Sequence, residues 1–528
     1  MENITLVAFL LLVFCFTNTY YAPNSYAQPV DCLASDREAL IDFKDGLDDP
    51  ANQLSSWIDR KCCQWHGIRC DNRTGAVVAI DLPGSYNRYG LLNPSGVVRP
   101  SLMKLKSLRH LDLSLNSFNG IPIPAFLGSL ENLQYLNLSY AGFRGKIPRN
   151  FGNLSHLKSL DISSEVLSLH AETLKWVTGL VSLEHLALRG VDLSMVGTDW
   201  VSAINTLPSL VELHLSDCSL QGHIPILPSL NFTSLAVMDL RSNDIVSKIP
   251  DWLVNITSLH HIDISHNHMY GSIPLGFGEM PNLLSLKLLD NENLTANCSQ
   301  LFRGRWEKTQ VLNLAANQIY GKLPSSFGNL TSLVHLDLSD NHIEGELPVS
   351  IGPIPISRGS LQKLTSLDLG VNRLNGTLPE SIGQLSQLQI LSVIDNQLTG
   401  VISEAHFSKL SQLDTLLLSS NSFFGTVSSH WIPPFQLTDL EMGSCVLGPS
   451  FPAWLKSQNK VDYLDFSNAG VSGFVPNWFW DMSSNMSYLN ISHNELQGKL
   501  PTPIPIAQFT AVDLSFNKLR DQFTFRQC

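Results

Sequence analysis

The chain is poor in charge, and after its first residues it has no long apolar run. Charged side chains make up 15% of 528 residues, with 34 Lys and Arg against 46 Asp and Glu, for a formal net charge of −12. No basic stripe is present, which excludes a nucleic-acid footprint. The acidity serves solubility. Beyond residue 27 no stretch reaches about 18 uninterrupted apolar residues, so no transmembrane helix is predicted. There is no phosphate loop, paired-histidine metal motif or dinucleotide fingerprint. His214, Ser216 and Asp217 lie close in sequence but show no nucleophile elbow or other reaction signature. The chain therefore reads as a non-catalytic scaffold, with no catalytic residue, metal ligand or cofactor assigned. The lack of a Ser-Pro-rich stretch argues against a structural wall protein.

The one apolar run, Leu6 to Phe16, is too short to span a bilayer comfortably. Ser25-Tyr26-Ala27 follows it with the small residues that signal peptidase needs. Residues 1–27 are predicted to be a signal peptide cleaved after Ala27, although its start has no Lys or Arg.

Most of the remaining chain repeats one pattern. Leu333-Val334-His335-Leu336-Asp337-Leu338-Ser339-Asp340-Asn341 reads L-x-x-L-x-L-x-x-N, and it recurs at a period of about 24 residues, as in Leu108 to Asn116 and Leu413 to Asn421. That period is the signature of a leucine-rich-repeat solenoid. One unit cannot bury its own apolar face, whereas stacked units make a continuous core. Within a unit the leucines alternate, so they point inward while Asp337 and Ser339 point outward. The closing Asn turns inward and satisfies backbone groups of the turn. Residues 77–528 are read as about 18 repeats closing at Ser85, Asn116, Ala141, Glu165, Val191, Cys218, Asn243, Asn267, Asn291, Asn317, Asn341, Asn372, Asn396, Asn421, Cys445, Ala469, Asn494 and Asn517. The register is loosest at both ends, around Glu165 and Val191, and from Asn291 to Asn317. Cys218 and Cys445 are read as structural thiols in the Asn position. Longer intervals at Arg88 to Pro100 and Gly352 to Gln362 are read as extruded loops. After the Asn comes a tail such as Ile343-Glu344-Gly345-Glu346-Leu347-Pro348, where Gly permits a bend and Pro an extended chain. This tail resembles the plant-specific class of leucine-rich repeats. The fold class is an α/β solenoid with a parallel concave β-sheet.

Residues 28–76 are read as a cysteine-containing N-terminal cap. Ser35-Asp36-Arg37-Glu38 is a capping-box pattern opening a helix with Ala39, Leu40, Phe43 and Leu47 on its apolar face. Cys32, Cys62, Cys63 and Cys70 read as two disulfides in an exported segment. Adjacent Cys62 and Cys63 are poor partners for each other, which leaves two connectivities. The segment resembles the plant leucine-rich-repeat N-terminal domain, C…E-x-x-A-L-x-x-F-K…S-W…C-C-x-W-x-G-I-x-C. That resemblance implies Cys32–Cys62 and Cys63–Cys70. Cys298 and Cys528 are left without assigned partners.

Glycosylation sequons are read at Asn72, Asn153, Asn231, Asn255, Asn293, Asn297, Asn329, Asn375 and Asn485. Asn153, Asn231, Asn255 and Asn329 each lie twelve residues before a closing position, so they are expected to form a row along one flank. Asn137 and Asn490 also carry the signal but fall in the strand pattern, and they are left out of the assigned set.

Outward strand positions usually carry Asp then Ser, so departures mark a candidate binding surface. His185, Arg189, His214, Arg241, His261, Lys287 and Leu289 depart in successive repeats and are expected to form a basic, His-rich patch. Ile390, Ile394 and Leu417 add apolar groups farther along. With a reference pKa of about 6.5, the three histidines are expected to gain charge on acidification. Such a footprint suits recognition of a protein or peptide.

The cap and repeats together resemble the extracellular portion of plant receptor-like proteins. Asp36-Arg37-Glu38-Ala39-Leu40 and Cys62-Cys63-Gln64-Trp65 carry the likeness, which is strongest to the group perceiving microbial xylanase or xyloglucanase. The resemblance implies a defence receptor ectodomain whose ligand could be a microbial glycoside hydrolase. Receptor-kinase co-receptors would be its partners when it is membrane-anchored. It also implies an extracellular location, at the plasma membrane if the full family pattern applies. That pattern continues into a membrane helix and tail, whereas this sequence stops at Cys528, as a truncated allele, a gene fragment or a secreted decoy would. Two other readings stay open, a secreted inhibitor of wall-degrading enzymes akin to polygalacturonase-inhibiting proteins and a developmental peptide receptor. The greater length of this chain favours the receptor.

Overall fold

The structure, a computed structural model, describes residues 31–85, 93–165, 167–352, 361–484, 486–501 and 511–520. The predicted signal peptide, most of the second long interval, Asn485 and Cys528 lie outside the described residues.

Each L-x-L segment forms a short strand, and successive strands pair in parallel from Val77–Asp81 to Ala511–Asp513. Eighteen such strands stand among the described residues. The register places like on like: Leu336 faces Leu312 on one side and Leu367 on the other, and all three are fully buried. Alternation alone accounts for this burial, because only every second side chain can reach the interior.

The closing asparagines build the ladder. Nδ2 of Asn341 donates to the carbonyls of Leu314 (3.0 Å), Leu338 (3.1 Å) and Ser339 (3.0 Å), while its Oδ1 accepts from the Ile319 amide at 2.9 Å. The residue before it, Asp340, has φ 51°, a left-handed conformation that also recurs at Asp290 and Asp395. Short polar side chains tolerate that region best. Cys218 and Cys445 do occupy the ladder: the Cys218 thiol donates to Leu188 O at 3.0 Å and that of Cys445 to Leu418 O at 3.4 Å. Where the closing residue is Ala141, Cys218 or Ala469, its backbone carbonyl takes the amide that Asn would have bound. Phe118 N donates to Ala141 O, Leu193 N to Cys218 O and Leu447 N to Ala469 O. Glu165 departs from the expected register. It is exposed, and the left-handed turn falls at Leu167 (φ 60°). An unpaired carboxylate in that position would be too costly to bury.

The tails contain more order than a bend. Tyr270–Ser272, Asn293–Asn297, Gln318–Lys322, His342–Glu346 and Arg373–Asn375 form a second, five-stranded parallel ribbon. Its glycines, Gly271, Gly321 and Gly345, have φ of 82°, 83° and 81°, conformations strained for any other residue. The Pro that ends most tails precedes a 3₁₀ turn, as Pro324 does for Ser325–Asn329 and Pro274 for Leu275–Glu279, whereas Pro476 precedes the α-helix Asn477–Ser483. Phe327 and Phe277 in those turns pack inward.

The cap covers the first coil. Its disulfides are Cys32–Cys62 and Cys63–Cys70. The helix spans Ala34–Lys44, with Ala39, Leu40 and Phe43 fully buried. The capping box predicted at Ser35 does not form: Leu33 is the N-cap, and Ser35 already lies inside the helix. Asp36 instead reaches across to the first repeat strand, where its carboxylate accepts from Val77 N at 2.9 Å. Trp57 stacks on Trp65 with centroids 5.3 Å apart. The described end of the first long interval is not extruded. Ser95–Gly96 pairs antiparallel with Leu47–Asp48, and the Asn93 amide donates to Leu115 O at 2.7 Å.

Candidate functional site

Five consecutive strands, His185–Ala187, Glu212–His214, Val237–Asp239, His261–Asp263 and Ser285–Lys287, carry the consensus departures. Their register sets the outward side chains in rows across the coils. His185, Glu212, Val237, His261 and Ser285 share one row, and Ala187, His214, Asp239, Asp263 and Lys287 share the next. Arg189, Arg241 and Leu289 follow two positions farther along each coil. The fold therefore brings His185 through Leu289 together on one face.

The cations there are paired rather than free. His185 Nδ1 lies 2.8 Å from Glu212 Oε2, and His214 Nε2 lies 3.4 Å from the same oxygen. His214 Nδ1 is 3.6 Å from Asp239 Oδ2 and accepts from Arg189 Nη2 at 2.7 Å. Arg189 Nε and Arg241 Nε approach Asp239 at 3.7 and 4.0 Å, and Lys287 Nζ approaches Asp263 at 3.9 Å. The three permanent cations thus face Asp239 and Asp263 while Glu212 faces two histidines, so the patch is an alternating charge lattice and not the basic surface expected. Its acidic members, Glu212, Asp239 and Asp263, are absent from the sequence-derived set. Two of them are the consensus Asp, which masked their role, but Glu212 is itself a departure beside His185 once the repeats are aligned.

The environment separates the histidines. Burial opposes charging of His214, but the carboxylates of Asp239 and Glu212 beside it outweigh that and raise its pKa. Burial, with nearby His260 and Lys287, lowers that of His261. Hydrogen bonds from His185, then from His214, hold Glu212 far below the usual carboxylate range. The expected joint gain of charge therefore does not hold, since His214 and His261 shift in opposite directions.

Ile390, Ile394 and Leu417 also face the concave side, each half-buried. Three strands, Val311–Asn313, His335–Asp337 and Ser366–Asp368, separate them from Lys287, so they form a second group.

Asn153, Asn231, Asn255 and Asn329 are all exposed, and Asn153, Asn255 and Asn329 each end a 3₁₀ turn. Asn72, Asn293 and Asn375 are also exposed, while half-buried Asn297 accepts from Ser299 N at 3.0 Å. Asn485 lies outside the described residues. On the concave face the Asn137 amide donates to Asp112, and that of Asn490 to Asp465, both at 3.2 Å.

Among the described residues no helix is long and apolar enough to cross a membrane.

The family model described as leucine rich repeat N-terminal domain matches residues 33–71, and that described as leucine rich repeat matches 106–167, 277–343 and 362–423. Fold and matches together define a leucine-rich-repeat solenoid with its N-terminal domain. The receptor-like proteins EIX1 and EIX2 of Solanum lycopersicum are each 37% identical over 92% of this chain and 55% of their own length. Receptor-like protein 6 of Arabidopsis thaliana is 31% identical over 49% of the chain and 28% of its own. The chain belongs to the plant receptor-like proteins. It spans about half the length of the EIX relatives. Among solved structures, the plant peptide hormone receptor RGFR1 in complex with RGF2 is 25% identical with a TM-score of 0.61, covering 87% of this chain and 84% of that one. The Arabidopsis receptor kinase HAESA, in complex with the peptide hormone IDA and the co-receptor SERK1, is 25% identical with a TM-score of 0.60, covering 92% and 90%.

Proposed function

We propose that the concave face from His185 to Leu289 is the ligand-recognition surface of an extracellular, non-catalytic receptor ectodomain in plant defence, and that its ligand is a protein or peptide. The observation that carries this reading is the charge lattice. Five successive coils depart from the repeat consensus, and the departing residues contact one another or the consensus carboxylates of neighbouring coils. Drift at independent surface positions does not generate interlocked pairs. Such a face can exchange its internal partners for those of a ligand carrying alternating charges, which favours specificity and fast association over raw affinity. Ile390, Ile394 and Leu417 offer apolar ground for a ligand long enough to reach them. The structural relatives solved with peptide hormones support a peptide or protein as ligand class, and the EIX likeness supports defence. A microbial glycoside hydrolase is the ligand we favour, and receptor kinases the signalling partners. The disulfides suit an oxidising secretory route. The exposed sequons are proposed glycan sites that leave the concave face clear.

The test is binding of the purified secreted chain to a purified microbial endoxylanase by surface plasmon resonance. Arg189→Ala/Arg241→Ala/Lys287→Ala is expected to weaken binding at least about tenfold, which is 1.4 kcal/mol. Rising salt is expected to slow association in the wild type more than in the variant. Equal affinity and equal salt dependence would refute the surface. Absence of binding by the wild type would refute this ligand.

A further inference from the structure

His185, Glu212 and His214 bring three metal-ligating atoms together. Each offers one ligand atom within 4.8 Å of the other two, and Glu212 Oε2 lies 2.8 Å from His185 Nδ1 and 3.4 Å from His214 Nε2. A tetrahedral zinc ion with bonds of about 2.0–2.1 Å holds neighbouring ligand atoms roughly 3.3 Å apart. The observed 2.8 and 3.4 Å separations bracket that value. The sequence has no paired-histidine motif because the set spans two coils. The parallel register, His185 beside Glu212 and Ala187 beside His214, creates it. The strands beneath are rigid, with Leu186 and Leu213 fully buried. The side chains stay reachable from the groove, at 30%, 21% and 12% exposure. Asp239 stands 3.6 Å behind His214 Nδ1, placed as an outer carboxylate that orients a ligating imidazole.

We propose that His185, Glu212 and His214 form a binding site for a divalent cation of the zinc class, with its remaining coordination position open to the concave groove. Two imidazoles and one carboxylate suit Zn²⁺, Co²⁺, Ni²⁺ or Cu²⁺, whereas Ca²⁺ and Mg²⁺ want oxygen. Arg189 is the competitor. It donates to His214 Nδ1, so that ring carries its proton on Nε2. Binding puts the metal on Nε2, moves the proton to Nδ1 facing Asp239, and leaves Arg189 with Asp239 alone. Of the two other such clusters among the described residues, Cys32, Cys62 and Cys63 are taken up in disulfides, and the set Asp81, His110 and Asp112 offers one imidazole. Its Asp112 oxygens already accept from Ser114, Tyr135 and Asn137. The zinc site stands whether or not this face meets a protein.

The experiment is isothermal titration of the tag-free, metal-stripped chain with ZnCl₂ and, separately, with CaCl₂. One Zn²⁺ per chain is expected, with no saturable heat from CaCl₂. His185→Gln and His214→Gln are each expected to weaken Zn²⁺ binding at least about tenfold, Asp112→Asn to leave it unchanged, and Arg189→Ala to tighten it. No saturable zinc uptake, or wild-type uptake by the double His variant, would overturn the site. A readout on the unmodified chain backs these variants: ZnCl₂ should protect His185 and His214, and not His261, from diethylpyrocarbonate. Equal modification of all three with and without ZnCl₂ would overturn the site as well.

Discussion

Replacing Asn341 with Ala probes the device that holds the coils in register. Asn341 is 4% exposed and makes four hydrogen bonds, three as donor and one as acceptor. Removing the side chain deprives the Ile319 amide of its acceptor and the Leu314 and Leu338 carbonyls of a donor. A buried polar group left without a partner costs about 1–3 kcal/mol. The native coils closing at Ala141 and Ala469 show one remedy, since the closing residue's own carbonyl takes the amide there. If the mutant coil relaxes the same way, the amide recovers and the carbonyls do not. The expected loss is therefore about 2–4 kcal/mol. Asn341→Cys should cost less, roughly 1–2 kcal/mol, because a thiol keeps a donor, as Cys218 does to Leu188 O. The assay is urea unfolding followed by tryptophan fluorescence, paired with native-state hydrogen exchange at the Ile319 amide. Exchange resolves local opening that a solenoid permits without global unfolding. A cost for Asn341→Ala below about 0.5 kcal/mol, or Cys proving worse than Ala, would refute the reasoning.

Burial pushes the thiols of Cys218, Cys298 and Cys445 up to about 12, so at pH about 8 iodoacetamide should label none of the three in the folded chain and all three after denaturation; labelling of the folded chain would contradict their burial. Asp36→Ala orphans the Val77 amide that joins cap to first coil, and the cap should lose about 1–3 kcal/mol; proteolysis within residues 31–76 no faster than in wild type would count against that latch. In the secreted chain, Asn329→Gln and Asn255→Gln should each remove one glycan by intact mass, whereas Asn137→Gln should remove none, since its amide nitrogen is half-buried and bonded to Asp112; a glycan found on Asn137 would contradict this.

The alternation in Leu336-Asp337-Leu338 and the closing Asn341 made strand, turn and ladder legible, because burial period and amide chemistry are local properties. The cysteine pairing was legible through resemblance to the N-terminal domain. Less legible features depended on other coils. The second ribbon was hidden because its strands each supply little burial and pair only with the same segment one repeat away. Its signal was the alternation in Ile343-Glu344-Gly345-Glu346, where Ile343 and Gly345 are buried and both glutamates exposed. The Ser35 box failed because Asp36, one residue on, had a stronger claim across 41 residues on Val77. Glu165 fits the repeat by position but not by chemistry. At the candidate site, sequence marked the cations and not the carboxylates between them, since Asp239 and Asp263 match the consensus. Only the register across coils turns these letters into pairs.

Hydrogen exchange on the secreted chain, alone and saturated with the endoxylanase, tests the recognition surface most directly. Slower exchange is predicted in His185–Ala187, Glu212–His214, Val237–Asp239, His261–Asp263 and Ser285–Lys287, with none in the 3₁₀ turns that end at Asn153, Asn255 and Asn329. Protection confined to those turns, or to the cap, would contradict it.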